Sequence, residues 1–154
     1  MRADDAYTFG LFRDCGIPVL LGRFPLYKKT LETANHDAAV SFTRVEEAEI
    51  PTNHAMVGCL LAQNWWLPEE TCLAIRNHHD LAALESAGSA LPMLSRRLIA
   101  VAQLSEHIVQ QQPGMSFTQE WPKLGMACLR ILAINEANLK SLYVAAAPIA
   151  SAAE

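Results

Sequence analysis

The sequence predicts an all-α fold, a compact helical bundle. Apolar residues recur at helical spacing along most of the 154 residues, whereas the strict alternation of a half-buried strand is hard to find. The periodic segments also begin and end at residues that suit helix termini, among them Pro, Asn, Asp and Gly. Apolar residues make up 51% of the sequence, so a chain of this length can bury a hydrophobic core.

The N-terminal third of the chain predicts three short helices. The stretch "DDAYTFGLFRDCG" has Asp4 and Asp5 where a helix begins, and Gly16 is expected to end it. Pro25 starts a second helix in "PLYKKTLETANHD". The stretch "SFTRVEEAEI" is ambiguous, and we interpret it as a helix that leads into a break at Pro51.

A central αα-hairpin is predicted over about residues 52–80. The stretches "PTNHAMVGCLLAQNWW" and "LPEETCLAIRNHHD" are both helical, and only Trp66 and Leu67 separate them, so the two helices should pack as antiparallel neighbours. Trp65 and Trp66 are expected to form the core and the rim of this hairpin. A loop from Leu81 to Pro92, rich in Ala, Ser and Gly, should follow it.

The C-terminal part of the chain predicts one long and two shorter helices. The stretch "MLSRRLIAVAQLSEHIVQQQ" is stopped by Pro113-Gly114, and "FTQEWPKLGMACLRILAINEANLKSLYVAAA" contains two further helices before the frayed end "PIASAAE". We therefore divide the chain into a helical core at 1–112 and a helical C-terminal tail at 113–154. The buried stripe of the long helix is predicted to consist of Leu94, Leu98, Val101, Leu104 and Ile108.

Charge and cysteine usage argue against several classes of protein. With 12 basic and 16 acidic residues the net charge is −4, which argues against nucleic acid or an anionic membrane as the main partner. Charged residues interrupt every apolar run, so no membrane span is predicted. The cysteines lack C-x-x-C spacing and lie among apolar residues, which is typical of free thiols in a reducing cytoplasm. A disulfide between Cys59 and Cys72 across the hairpin is the less favoured alternative.

The histidines of the hairpin lie at matching heights. His54 precedes Trp66 by 12 residues and His79 follows Leu67 by 12, so each lies about 18 Å from the turn at ~1.5 Å per helical residue. Because neighbouring helices pack about 8–10 Å apart, the facing imidazoles could share a ligand. The alternative is that these histidines, with His78, are polar helix ends favoured by the helix dipole.

Three other positions bear on this region. Gly58, one turn after His54, should permit close approach of a neighbouring helix or ligand. His36 is expected at a helix end in a solvated or capping role. His107 is expected at the surface, although it lies one turn after Gln103 and could reach the same pocket as the other histidines.

Taken together, these stretches resemble a known family. The segments "AYTFGLFRDCGIPVLL", "NHAMVGCLLAQNWWLPEETCLAIRNHHD" and "LIAVAQLSEHI" look like the successive signatures of HDOD domains, the HD-related output domains of bacterial signal transduction. The resemblance spans about residues 6–112. It implies a bundle of the HD-domain type, related to the HD and HD-GYP metal-dependent phosphohydrolases. It also implies that the chain corresponds to the C-terminal part of the family module, without the helices that usually precede it.

The resemblance implies a degenerate active site. Metal-dependent HD enzymes use an H…HD…D set, in which Asp14 matches the aspartate of the HD pair, while Arg13 stands at the histidine position. Gln103 stands where these enzymes place an aspartate in the long helix. Arg13 stays protonated and repels a cation, and Gln103 offers no charge. We expect Arg13 to pair with Asp14, or to hold an anion beside the histidines.

What remains is a reduced metal site. Of its four candidate ligands, three are expected to converge, which would suit weak binding of a divalent ion such as Zn²⁺ or Ni²⁺. The candidate ligands are Asp14, His54, His78 and His79. The whole remnant pocket is predicted to comprise these four residues with Arg13, Gly58 and Gln103.

The sequence therefore predicts a non-catalytic regulatory or output module that acts through protein–protein interaction and requires no cofactor. Its expected partners are signalling proteins or further copies of the same chain, because absent helices would leave an apolar face uncovered. The alternative is a metal-dependent phosphohydrolase or phosphodiesterase that uses the residual histidine cluster.

Overall fold

A computed structural model describes residues 1–85, 90–111 and 117–150, with side chains described as far as residue 146. Within these ranges the chain is all-α and contains no strand, as the periodicity predicts. The helices are α1 (Ala3–Phe12), α2 (Gly16–Arg23), α3 (Tyr27–His36), α4 (Phe42–Glu49), α5 (His54–Asn64), α6 (Glu69–Asn77), α7 (Leu81–Glu85), α8 (Met93–Gln110), α9 (Glu120–Leu132) and α10 (Glu136–Ala150).

Gly16 begins a helix, so the expectation that it ends one is wrong. The first helix already ends at Phe12, and a short turn leads into α2. A Cβ atom on Gly16 would overlap the backbone carbonyl of His54 and lie 2.9 Å from the amide nitrogen of Gly58. This glycine is therefore required by the close packing of α2 on α5, not by a helix C-cap.

The central hairpin is confirmed as α5 and α6. Its turn is a Schellman motif in which Trp66 has a positive φ of 59° and the Leu67 amide donates to the Ala62 carbonyl at 3.0 Å. Trp65 is 53% exposed and touches Phe12, while Trp66 is 92% exposed. The expectation that Trp65 belongs to the core is therefore wrong, because the turn directs both rings outward.

The segment expected to be a loop contains the short helix α7, whose first turn is capped by Asp80 through the Ala83 amide at 3.2 Å. The predicted stop at Pro113-Gly114 lies outside the described residues. The two expected helices of the tail are α9 and α10, and the latter continues through Ala150 instead of fraying at Pro148.

The long helix α8 is buried over more than the predicted stripe. Leu98 and Leu104 are buried, but the remaining predicted positions are only partly so. Because α8 packs against α1, α6 and α9, its buried surface also includes Ile99, Ala100 and Gln103.

Among the described residues, the main hydrophobic core joins six helices, α1, α5, α6, α7, α8 and α9. Buried side chains from each meet in one cluster, and Leu124 and Cys128 bring α9 into it. The helix α9 is thus integral to the bundle. All four cysteines are free thiols, and no helix in the described ranges is long and apolar enough to cross a membrane. The core elements hold the ends of α5 and α6 against the turn between α1 and α2, where the histidines meet.

Candidate metal centre

Four side chains converge where α5 begins, α6 ends and the α1–α2 turn passes. Asn53 caps α5 by accepting the Met56 amide at 2.7 Å, which makes His54 the first residue of that helix. His78 and His79 follow the end of α6 and Asp14 lies in the turn. The ligand atoms of all four residues lie within 4.8 Å of one another, so the structure brings together the whole predicted ligand set rather than three of its members.

Termination of α6 lets both adjacent histidines face the site. Consecutive residues within a helix point about 100° apart, which would separate the two rings. Since α6 ends at Asn77, His78 and His79 leave the helix, and their ring centroids lie 4.1 Å apart. All three histidines are buried, with 0% of His54, 1% of His78 and 8% of His79 exposed.

The hydrogen bonds of the imidazoles fix their tautomers. The Nδ1–H of His54 donates to Glu46 Oε2 at 2.7 Å, and that of His79 donates to Glu120 Oε2 at 2.5 Å. The Nδ1–H of His78 donates to the carbonyl oxygen of Ile75 at 2.7 Å. Because each acceptor is an oxygen without a proton to give, each Nδ1 carries the hydrogen, and in the neutral ring Nε2 then presents a lone pair.

These lone pairs point at one place. The Nε2 atom of His54 lies 3.2 Å from the Nε2 atoms of both His78 and His79. Asp14 Oδ1 lies 3.5 Å from His78 Nε2 and 3.7 Å from His54 Nε2. A tetrahedral zinc ion with bonds of 2.0–2.1 Å separates its ligand atoms by about 3.3 Å. The donor set therefore fits a divalent metal ion.

Glu46 supports His54 and was not predicted from the sequence. It is fully buried and accepts hydrogen bonds from the Tyr27 hydroxyl and the His54 backbone amide as well as from the imidazole. Burial and the Glu46 carboxylate raise the pKa of Tyr27 above its usual range. The sequence does hold a signal: Glu46 lies one turn after Phe42, and these two are the buried residues of α4.

Glu120 supports His79 and was also missed. It is 3% exposed, lies at the start of α9 and pairs with Lys123, whose Nζ is 2.6 Å from Glu120 Oε1. Burial and the neighbouring imidazoles of His78 and His54 hold the pKa of His79 well below its ordinary value. Imidazole–carboxylate pairs of this kind orient metal ligands in proteins.

Arg13 is committed to two carboxylates. Its guanidinium lies 3.1 Å from Asp14 Oδ2 and 2.8 Å from Glu106 Oε2, another residue that the sequence did not indicate. The Arg13 guanidinium favours the charged form of Asp14 against its partial burial. Arg13 thus pairs with Asp14, as expected, and its side chain is held by these ion pairs beside the histidines.

The other predicted pocket residues lie around the site. Gly58 allows the expected close approach, because a Cβ there would lie 3.1 Å from Ile75 Cγ2. Gln103 is 2% exposed and its Nε2 has no hydrogen-bond partner, but it does not line the cavity beside the histidines. Glu106, one turn further along α8, lines that cavity instead.

The two remaining histidines lie elsewhere. His36 is exposed at the end of α3, where its ring contacts the Glu32 carbonyl, in line with the expected capping role. His107 is partly buried rather than at the open surface: its ring stacks on Trp121 with centroids 4.2 Å apart and bonds to the Tyr143 hydroxyl at 2.7 Å. It therefore joins α8 to α9 and α10 and does not reach the cluster.

In a comparison with known protein families, the HDOD domain model matches residues 1–81, more than half of the chain. The chain belongs to the HDOD family. No curated protein and no solved structure matches it. The matched segment of the HDOD domain contains all four candidate ligands, whereas Glu106 and Glu120 lie beyond it. Family membership suggests a signal-transduction output domain.

Proposed function

We propose that this HDOD domain is a non-catalytic output module that acts by binding a protein partner, and that its histidine cluster holds one divalent metal ion as a structural centre. The observation that carries the metal assignment is the convergence of three Nε2 lone pairs with the Asp14 carboxylate. Without a cation, these electron-rich atoms repel one another. A divalent ion turns that repulsion into coordination.

The local charge supports a divalent ion. At ordinary charges the cluster and the groups bonded to it carry four carboxylates, Asp14, Glu46, Glu106 and Glu120, and two cations, Arg13 and Lys123. With neutral imidazoles, the form that binds a metal ion, the sum is −2. One divalent ion makes the assembly neutral, which removes most of the cost of burying the excess negative charge.

The same features argue against catalysis. A catalytic zinc ion keeps one position open for water, whereas four side chains of this chain would hold the ion here. Arg13 occupies the place of a metal-binding histidine and would repel a second ion. Once one ion is bound the site is neutral, so nothing remains to attract a phosphate dianion. The cavity beside the cluster has a volume of about 140 Å³, enough for a few water molecules.

Exposed apolar side chains support a role in protein binding. Trp66 is 92% exposed at the hairpin turn, and Tyr7 and Leu11, one turn apart on α1, are 74% and 62% exposed. The contact of Phe12 with Trp65 joins α1 to that turn. Large exposed aromatic residues of this kind are common at interfaces. The free cysteines fit a reducing cytoplasm, where bacterial output domains of this type would act.

Metal content of protein purified without a histidine tag tests the centre. We expect about one divalent ion per chain, or one Zn²⁺ taken up on titration, and loss of that ion in His78→Ala. The matched control is His36→Ala, which removes an exposed histidine that does not line the cavity beside the cluster and should keep the metal. Wild-type protein that takes up no Zn²⁺ would contradict the assignment.

Hydrolysis assays test the absence of catalysis. Cyclic dinucleotides and phosphomonoesters, incubated with the protein and Mn²⁺, should not be turned over above the rate of a His78→Ala control. Turnover that depends on His78 would instead favour the alternative, a metal-dependent phosphohydrolase or phosphodiesterase.

Sedimentation over a range of concentrations tests whether the interaction surface binds a second copy of the chain. We expect reversible self-association that Leu11→Ser weakens without loss of helix content. A monomer at all concentrations would remove self-association as the mode of binding.

A further inference from the structure

The C-terminal part of the chain reaches the metal centre through one side chain. Glu120 is the first residue of α9 and is 41 residues away from His79 in sequence, yet its Oε2 accepts the Nδ1–H of that imidazole at 2.5 Å. Of the three imidazoles, His54 has an equivalent carboxylate in Glu46, whereas His78 has only a neutral carbonyl. Each carboxylate therefore serves one ligand, and the one for His79 comes from α9.

The start of α9 is held in place by bonds to the last turn of α3 and to the connection between α3 and α4. The Gln119 amide donates to the Asn35 carbonyl at 3.0 Å. Lys123 Nζ donates to the carbonyl oxygens of Asp37 and Val40 at 3.0 and 2.9 Å, and it also lies 2.6 Å from Glu120 Oε1. These contacts fix the Glu120 carboxylate at the height of His79.

We infer that Glu120 is a positioning residue of the metal centre, and that docking of the first turn of α9 is linked to metal occupancy at His79. This inference rests on the proposed metal centre. A carboxylate that accepts the Nδ1–H fixes the ring and makes Nε2 a stronger ligand, and in metalloproteins such partners change metal affinity by about 10–100-fold. Glu120 also supplies one of the negative charges that a divalent ion balances.

The linkage runs in both directions. If the docked Glu120 strengthens metal binding by a given factor, the bound metal must strengthen docking of Glu120 by the same factor. Binding of an ion at His79 therefore also tightens the docking of the first turn of α9 on the α3–α4 connection that is bonded to it. Metal occupancy is thus linked to the start of α9, 41 residues after His79 in the sequence.

Two variants test the inference, and each of them replaces a glutamate that pairs with another side chain by glutamine. Glu120→Gln keeps the size of the side chain but removes the charge and weakens the acceptor for His79. Glu85→Gln is the matched control, because Glu85 pairs with Arg130 of α9 at 3.1 Å, at the surface and away from the cluster. We expect Glu120→Gln to weaken Zn²⁺ binding about 10–100-fold in a chelator competition. Glu85→Gln should stay within about twofold of wild type.

A measurement on the wild-type chain keeps the test independent of how well the variant folds. The Gln119 amide, bonded to Asn35, reports docking at the start of α9. Its hydrogen exchange should slow when Zn²⁺ is added, by up to the factor by which Glu120→Gln weakens Zn²⁺ binding. Co²⁺ in place of Zn²⁺ adds a spectroscopic signature: its absorption should change in Glu120→Gln and not in Glu85→Gln.

The outcomes separate the inference from the proposal beneath it. If wild-type protein binds Zn²⁺ while Glu120→Gln binds it equally well, or Gln119 exchange is unchanged by Zn²⁺, the inference is overturned and the metal centre stands. If wild-type protein binds no Zn²⁺, both fail.

Discussion

His79 Nε2 lies 3.2 Å from His54 Nε2, although 25 residues separate the two along the chain. In the neutral rings neither nitrogen has a hydrogen to donate, because each Nδ1–H is bonded to a carboxylate. Two buried lone pairs at this distance are unfavourable unless a cation lies between them. The energy of this site therefore depends on what binds it.

Metal binding should stabilise the fold. Because the ligands are brought together only in the folded chain, a Zn²⁺ concentration 100 times the dissociation constant adds about 2.7 kcal/mol to the free energy of unfolding. Thermal unfolding with Zn²⁺ and with a chelator measures the difference. His54→Ala should abolish it, and an unchanged melting temperature on adding Zn²⁺ to the wild-type chain would count against the site.

Gly16→Ala should destabilise the protein and disturb His54. The added Cβ would overlap the His54 carbonyl in the first turn of α5, and relieving such overpacking typically costs about 1–3 kcal/mol. Gly22→Ala is the control, since a Cβ there meets nothing within 4 Å and should stabilise α2 by about 0.5–1 kcal/mol. Urea unfolding of the two variants should give opposite signs, with weaker Zn²⁺ binding only in Gly16→Ala.

Trp66→Gly should stabilise the protein. A positive φ of 59° destabilises a residue with a Cβ by about 1–2 kcal/mol. Because the Trp66 ring is exposed, its packing contributes little to the stability of the fold. After the entropy that glycine loses on folding, we expect a net gain of about 0.5–1 kcal/mol. Trp65→Gly has no such strain to relieve, since φ is −91°, and should destabilise. Chemical denaturation of both variants provides the comparison.

Gln103→Leu should be neutral or stabilising and should leave metal binding unchanged. The Nε2 group of Gln103 is buried without a hydrogen-bond partner, a state that costs about 1–3 kcal/mol, and leucine removes the cost at similar volume. Because Gln103 does not line the cavity beside the histidines, Zn²⁺ affinity should match wild type. A tenfold loss of affinity in this variant would show that position 103 belongs to the site after all.

Acidification should weaken the contact of α10 with α8 through His107. Burial lowers the pKa of His107, so the unfolded chain takes up its proton first as the pH falls. The stability that neutral His107 contributes is complete above its ordinary pKa near 6.5 and is lost as the pH falls through the lower folded value. In metal-free protein, the decrease in melting temperature between pH 7.5 and 5.5 should be smaller for His107→Asn than for wild type. Equal decreases would exclude His107 as a contributor.

Local patterns in the sequence predicted the elements of this fold well. Helical periodicity and cap residues depend on neighbours three or four positions away, so α3 to α6 and α8 to α10 could be read directly. Counting from the turn placed His54 and His79 level with each other, because helical rise is constant. Gly16 was misinterpreted since its role depends on α5, a helix that lies 38 residues further on.

Of the acidic residues around the cluster, only Glu46 has a local signal, since it lies one turn after Phe42 on the buried side of α4. Glu106 and Glu120 resemble ordinary surface residues in the sequence, and only their neighbours in space make them partners of Arg13 and His79. Their burial depends on the packing of α8 and α9 around the hairpin, which no local pattern encodes.

By itself the sequence determined an all-α HDOD chain with Asp14, His54, His78 and His79 as the candidate ligands, because residue type and helical spacing are local properties. The tertiary structure alone decided that all four ligands meet, that each Nδ1–H is bonded to an oxygen, and that Arg13 is bound to carboxylates. The physical reason is that tautomer, burial and net charge are set by atoms a few ångströms away in space, which here come from helices far apart in the chain.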